Sequence, residues 1–354
     1  MKNKLLVFTV FIFSCVSLFS QRADNYPPNN IAVSLSGGTV LPVVVINVNK
    51  QMIMKDSRIN GDIYIVNNNG GLNYPDTVSH PNQRFEYKGR VGMKYRGNTS
   101  FSASDKKPYS IRTQNASDKK QAVSLFGLGA NTDWVMLAPY ADKSMIRDLL
   151  IFGLARGNFE FVPSLRLCEL VLDGTYYGVY LFGERVRPGE KRFELEKTGE
   201  SGDELTGGYL VEINRIETDE PVYYTSQYPC QYNDGQTYTY HPIYQYKEPA
   251  WDDPISPAQK EFIDNRIHEM ESSFLQPDYT EPANGYRKYI HVQSFVNYMI
   301  FQELARNVDG YRLSTPMYKY RDSKDGGLFR LALWDFNISL GNANYSGGTD
   351  HNYW

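Results

Sequence analysis

Apolar positions recur with a period of two through much of the first half of the chain. LPVVVINV (41–48) is a continuous apolar run of strand length, and DIYIVN (62–67) and FEYKGRVGMKY (85–95) extend a β-rich stretch with Asn, Gly and Pro turns between them. KPYSIRT places Tyr109 and Ile111 on one face and Ser110 and Arg112 on the other, which predicts a further strand. SLRLCELVLDGTYYGVYLFGERV (164–186) reads as two strands joined at Asp173-Gly174, and GGYLVEINR (207–215) as another. The period changes in ADKSMIRDLLIFGLARG (141–157): Asp142 is placed as an N-cap, Ile146, Leu149, Leu150 and Leu154 share a helical stripe, and Gly157 is a stop.

After a Tyr-rich segment over 221–250 the pattern turns helical. SPAQKEFIDNRIHEMESSFL opens with Ser256 as N-cap, Pro257 at the first helical position and Gln259 at the capping-box position, and Phe262, Ile263, Ile267, Met270 and Phe274 form its apolar stripe. HVQSFVNYMIFQELAR (291–306) is apolar on most sides, which predicts a helix inside the domain. It leads into NVDGYRLS and then a hairpin, PMYKYRD and LFRLALWDF, turning at Lys324-Asp325-Gly326-Gly327. The expected fold class is α+β with two lobes and a cleft: a β-rich N-terminal part (33–220), the Tyr-rich insertion (221–250) and a mainly helical C-terminal part (251–354).

The first residues add a location. Lys2 and Lys4 precede an apolar run from Leu5 to about Phe19, followed by polar QRADNYPPNN. This is the anatomy of a secretory signal peptide over residues 1–20, with a polar linker over 21–32. The run is shorter than the roughly 20 apolar residues of a membrane span and is broken by Ser14 and Ser17. A secreted or surface location with no stable span is therefore expected. The formal charge is −3, and loss of Lys2 and Lys4 makes it −5, so the chain has no basic excess for a polyanion. Nucleic acid is not an expected partner. Cys168 and Cys230 remain after the leader, and two readings are open: a disulfide, which export permits, or a buried small hydrophobe at Cys168.

Two constellations can carry chemistry. Asp309 lies in a loop after the apolar helix, and Asp335 ends an apolar strand between Trp334 and Phe336. Phosphoryl transfer needs one carboxylate to orient or deprotonate the acceptor hydroxyl and another to hold the metal that bridges the phosphates. A carboxylate in an apolar strand must be paired, ligate a metal or bear a heavy desolvation cost. The second constellation is MKYRGNTSFSASDKKPYSIRT (93–113), a Gly/Ser/Thr-rich turn whose backbone N–H groups suit phosphate oxygens and whose strand carries Lys106 and Lys107. Alternation from Tyr109 points Lys107 inward and Lys106 to solvent.

The ordered set RGNTS, KKPYSI, SMIRDLL, LVLDGTYYGVYLFGE, GYLVEI, NVDGYRLS and LWDFNISLGNA resembles the CotH (spore coat protein H) kinase family from about residue 41 to the end. The resemblance implies a two-lobed atypical protein-kinase-like fold, use of ATP with Mg²⁺ or Mn²⁺, and phosphorylation of secreted or surface proteins. It assigns Asp309 as the catalytic-loop aspartate and Asp335 as the metal aspartate. Lys107, or failing that Lys106, becomes the phosphate-pairing lysine, with Arg96 and Gly97 in the loop over the phosphates. Glu184, with Glu212 in reserve, is the candidate acid that pairs with the lysine. Three departures stand out: Ser314, Thr315 and Pro316 occur where members place a metal-binding asparagine, Asn337 replaces a second acid, and the chain runs only to HNYW, so the C-terminal lobe is expected to be incomplete. Besides a secreted kinase, two readings remain open: an inert surface or adhesion module that binds protein or glycan through the Tyr-rich segment, and a nucleotidyl transferase.

Overall fold

The computed structural model describes residues 35–216, 222–233, 237–249 and 254–350. The signal peptide expected over 1–20, the linker over 21–32 and the terminal HNYW lie outside the described residues. Among those described, no helix is long and apolar enough to cross a membrane.

The chain forms two interleaved compact units. Of the described residues, the first takes in 35–122, 132–140 and 167–182. It is built on a closed barrel in the order β1-β2-β3-β4-β5-β7-β6. These strands are β1 (Val43–Asn47), β2 (Ile59–Val66), β3 (Phe85–Tyr95), β4 (Tyr109–Gln114), β5 (Asp133–Leu137), β6 (Leu165–Leu172) and β7 (Thr175–Gly183). Closure comes from β1, which is antiparallel to β2 and parallel to β6, so no strand is left with an open edge. Large aromatic side chains fill the barrel core: Trp134 stacks on Phe182, and Tyr109 packs between Tyr95 and Tyr180. The hairpin expected at Asp173-Gly174 is present, both residues having positive φ. β5 was not legible in the sequence.

The second unit takes in 123–131, 141–166 and residues from 183 on. It is organised on a five-stranded antiparallel sheet in the order β14-β13-β8-β12-β9. Its strands are β8 (Tyr209–Ile213), β9 (Tyr223–Thr225), β12 (Ile243–Glu248), β13 (Thr315–Lys319) and β14 (Phe329–Leu331), with β10 (Cys230–Asn233) and β11 (Thr237–Tyr240) pairing separately. Among the described residues three helices exceed one turn: α1 (Arg147–Ala155), α2 (Pro257–Ser273) and α3 (Val292–Ala305). This corrects the expected two-lobed kinase-like arrangement. The N-terminal β-rich region closes into a barrel, and the region that was to be mainly helical is centred on a sheet.

α2 forms as its sequence dictates: Ser256 accepts from the Gln259 N–H, Gln259 returns a bond to the Ser256 N–H, and Ile263, Ile267 and Met270 are buried. The other two helices present different faces from those expected. On α1, Ile146, Leu150 and Leu154 are 48%, 45% and 54% exposed, and the buried face is Asp148, Ile151, Phe152 and Ala155. Asp142 does not cap the helix but closes the preceding turn, accepting from the backbone N–H groups of Ser144 and Arg147. α3 lies at the surface rather than inside, with Val296, Met299, Ile300 and Leu304 all exposed and Tyr298, Phe301 and Ala305 turned inward. Neither Cys168 nor Cys230 is in a disulfide, and burial raises the Cys168 thiol well above its ordinary value.

In the barrel unit, Asp133 accepts from Arg112 at 2.9 Å and Arg58 at 3.4 Å through one oxygen, and from Thr132 at 2.8 Å through the other. Burial opposes its ionisation, but the two guanidinium groups outweigh burial and hold its carboxyl at about 2. A carboxyl depressed in the folded state contributes stability above its unfolded value, near 4, and loses it as pH falls toward 2. The contribution is roughly 2–3 kcal/mol. Denaturant titrations at pH 5 and pH 2.5 are expected to show that loss, and Asp133→Asn should lower stability at pH 5 and flatten the pH dependence.

Candidate functional site

The loop after α3 and the segment after β14 meet in the second unit. α3 ends at Arg306, whose left-handed backbone (φ +48°) directs its N–H to the Gln302 and Glu303 carbonyls and turns the chain into Asn307. The Asn307 side chain then joins two segments. Its Nδ2 donates to the Asp335 carbonyl at 3.2 Å, and its Oδ1 accepts from the Asp309 N–H at 3.4 Å. Farther along the loop, the Ser314 hydroxyl donates to Asp335 Oδ2 at 3.0 Å.

Asp335 is held from its other side by α1. Trp334 and Phe336 both pack on Phe152, with ring centroids 6.3 and 6.1 Å away, and Asp148 Oδ1 accepts from the Phe336 N–H at 2.7 Å. With both neighbours fixed in the core, Asp335 takes a left-handed backbone (φ +63°), which Asp tolerates better than most side chains. Its carboxylate is half-buried and faces the Asn307–Ser314 loop. Asp309 is also half-buried; its Oδ1 accepts from Arg312 Nη2 at 2.8 Å and from the Tyr345 hydroxyl at 3.1 Å.

The two aspartates singled out by sequence are thus brought into one hydrogen-bonded cluster, with Asn307 and Ser314 as the links. Ser314 lies five residues after Asp309, the spacing at which kinase catalytic loops carry the asparagine that binds the second metal. Of the three residues named at this position from sequence, Ser314 is the one that meets the spacing, a hydroxyl in place of an amide. Thr315 and Pro316 instead belong to β13, where the Thr315 hydroxyl pairs with that of Tyr298 at 2.7 Å.

A magnesium-type cation takes hard oxygen donors, often only one or two carboxylates, and completes its shell with water and phosphate. Asp335 and Ser314, with Asn337 two residues on, are donors of this kind. Among the described residues no group of three or more His, Cys, Asp or Glu side chains forms a protein-only cage. The residues present fit a cation shared with a phosphate ligand.

The other predicted site residues have different settings. In the barrel unit, Gly97 (φ +78°) lets the chain turn after β3, where a Cβ would lie 2.3 Å from Ser100 Oγ, and Arg96 N–H bonds the Pro108 carbonyl. The N–H groups of Phe101, Ser102 and Ala103 in the same loop are taken by the Asn98 and Thr99 carbonyls. The two lysines reverse the expected orientation. Lys106 is only 6% exposed, donates to the Val179 carbonyl at 2.6 Å and lies over the Tyr180 ring. Lys107 is half-buried, donates to the Phe101 carbonyl at 2.7 Å and covers the Phe101 ring, and burial lowers its pKa against the opposing charge of Asp105. Strand alternation does not extend to these lysines because β4 begins only at Tyr109.

Glu184, in the second unit, forms a buried pair with Arg192 (Oε1 to Nε, 2.9 Å), and its Oε2 accepts from the Ser164 N–H at 3.0 Å. It lines a cavity of about 260 Å³ together with Gly129, Arg156 and Lys191. Glu212 accepts from Asn214 and faces Lys247 at 3.4 Å.

A family model described as CotH kinase protein matches residues 93–354, well over half of the chain, beginning within β3 rather than near residue 41. No curated protein matches the chain.

The Glu184 geometry generates a stability prediction. Removing one partner of a buried pair leaves a desolvated charge and costs about 3–5 kcal/mol. Glu184→Ala should lose that much in chemical denaturation, whereas Lys107→Ala should cost under about 1 kcal/mol, as for a half-exposed side chain.

Proposed function

We propose a function from one premise: the chain belongs to the CotH kinase family. Membership supports a kinase-like activity and, in general terms, the use of ATP and a divalent metal. On that basis the Asp309–Asp335 cluster is a phosphoryl-transfer site that moves the γ-phosphate of ATP to a Ser, Thr or Tyr hydroxyl of an exported or surface protein. The observation that carries this reading is the joining of the two aspartates through Asn307 and Ser314.

Each group has a role that follows from its setting. Asp335, with the Ser314 hydroxyl and Asn337, would hold Mg²⁺ or Mn²⁺, and the bound cation would neutralise charge on the phosphates. Asp309 accepts hydrogen bonds from hydroxyl and guanidinium donors and is suited to orient an acceptor hydroxyl and take its proton. Arg312 keeps the Asp309 carboxylate oriented. Asn307 sets the register of one loop against the other. The apolar run after Lys2 and Lys4 supports export, which gives the enzyme its class of substrate. Arg96, Gly97, Lys106 and Lys107 keep the phosphate-binding role that the family resemblance gives them, and Lys106→Ala and Lys107→Ala test it through nucleotide affinity.

A second reading, an inert surface module, has one observation in its favour: Tyr238 on β11 is half exposed within the Tyr-rich segment, as suits a protein- or glycan-binding face. Incubation with Mn²⁺ and ATP labelled at the α- or γ-phosphate separates the readings. Label from γ is expected; label from α would replace phosphoryl by nucleotidyl transfer, and no transfer with no thermal shift by Mn-ATP would leave the inert module. Asp335→Ala should abolish metal-dependent nucleotide binding. Asp309→Asn should spare that binding and lower transfer by about 10²–10⁴-fold, the usual contribution of a positioned base.

A further inference from the structure

The geometry points to Tyr345 as a phosphate acceptor served by Asp309 of its own chain, an inference that rests on the phosphoryl-transfer reading above. A base must lie within hydrogen-bond reach of the proton it takes, and the Tyr345 hydroxyl is 3.1 Å from Asp309 Oδ1. The carboxylate it meets is already oriented by Arg312 at 2.8 Å, so the phenol contacts a fixed group. Two other tyrosines of this unit, Tyr298 and Tyr318, are buried against Thr315 and Glu160. Tyr345 is 36% exposed.

The segment that carries Tyr345 is fastened on both sides along the loop that carries Asp309. Before it, the Leu340 N–H donates to the Ala305 carbonyl at 2.7 Å. After it, Arg306 Nη2 donates to the Gly347 carbonyl at 2.7 Å. Gly348 lies so close that a Cβ there would be 2.7 Å from the Ala343 carbonyl oxygen and 3.0 Å from Val308 Cγ1. Residues 341–350 therefore hold a hydroxyl where an acceptor hydroxyl belongs.

The step balances without a further reactant beyond a nucleoside triphosphate. The phenolic oxygen bonds the terminal phosphorus, the bond from that phosphorus to the β–γ bridging oxygen breaks, the nucleoside diphosphate leaves, and the phenolic proton passes to Asp309. The product carries nearly two negative charges beside a carboxylate, and like-charge repulsion then releases the segment from Asp309.

The test uses the full chain with Mn²⁺ and ATP over a range of protein concentrations, followed by peptide mapping. Phosphate is expected on Tyr345, appearing at a rate independent of protein concentration. In the absence of nucleotide, loss of the hydroxyl in Tyr345→Phe should speed amide exchange across 341–350 about fivefold, as expected for one hydrogen bond. The same variant, which keeps the ring, should transfer phosphate to added dephosphorylated casein faster than wild type. Phosphate on casein with none on Tyr345 overturns this inference and leaves the kinase reading intact. No γ-phosphate on any acceptor overturns both. Unchanged exchange across 341–350 in Tyr345→Phe removes the contact on which the inference stands.

Discussion

The site depends on the clamp around Trp334, Asp335 and Phe336. Trp334 and Phe336 lie in the segment beyond β14, and both rings settle on Phe152 of α1. Asp148, one turn earlier on the same helix, receives the Phe336 N–H. With its two neighbours pinned in this way, Asp335 has little choice of backbone, and the left-handed turn brings its carboxylate to Ser314 and its carbonyl to Asn307. Two buried aromatic contacts and one hydrogen bond thus set where a charge sits. Apolar burial supplies the energy and is indifferent to direction, while the backbone bond to Asp148 supplies the direction.

The same clamp explains why the faces of α1 were misjudged from sequence. Periodicity assigns polar residues to solvent, so Ile146, Leu150 and Leu154 read as the inner stripe. Asp148 goes inside instead because a backbone N–H there needs an acceptor, and it takes Ile151, Phe152 and Ala155 with it. α3 shows the complementary limit: a helix apolar on most sides gives a weak periodic signal, so sequence could not tell which residues would be exposed. Helix α2, by contrast, was readable to its cap, because the Ser256–Gln259 box is a local interaction that needs no tertiary partner.

The strands were largely legible and their assembly was not. Alternation shows that a segment is extended with one buried face, but carries no record of which strands pair. Closure through the parallel β1–β6 pairing joins segments more than a hundred residues apart. The sheet of the second unit likewise places β13 beside β8, and only the structure showed that this half is not a helical lobe. In the site, Asp335 was legible because a carboxylate between two apolar aromatic residues demands an explanation, and Asp309 chiefly through the family resemblance. Ser314 was legible only as a departure from the family pattern, and Asn307 was not singled out, because an amide in a loop has many ordinary uses. Lys106 was misplaced because the period of a strand was carried past the strand's end.

The left-handed backbone at Asp335 also governs how this position can drift. Most side chains strain there, whereas Asn and Gly adopt that conformation at little cost and disturb neither the rings on Phe152 nor the bond to Asp148. Neither carries a charge. A duplicated copy released from selection at this position would therefore tend to read Trp-Asn-Phe or Trp-Gly-Phe here, keeping its fold while losing the carboxylate that Ser314 bonds. Those two tripeptides would mark copies in which the backbone turn is kept and the charge is not.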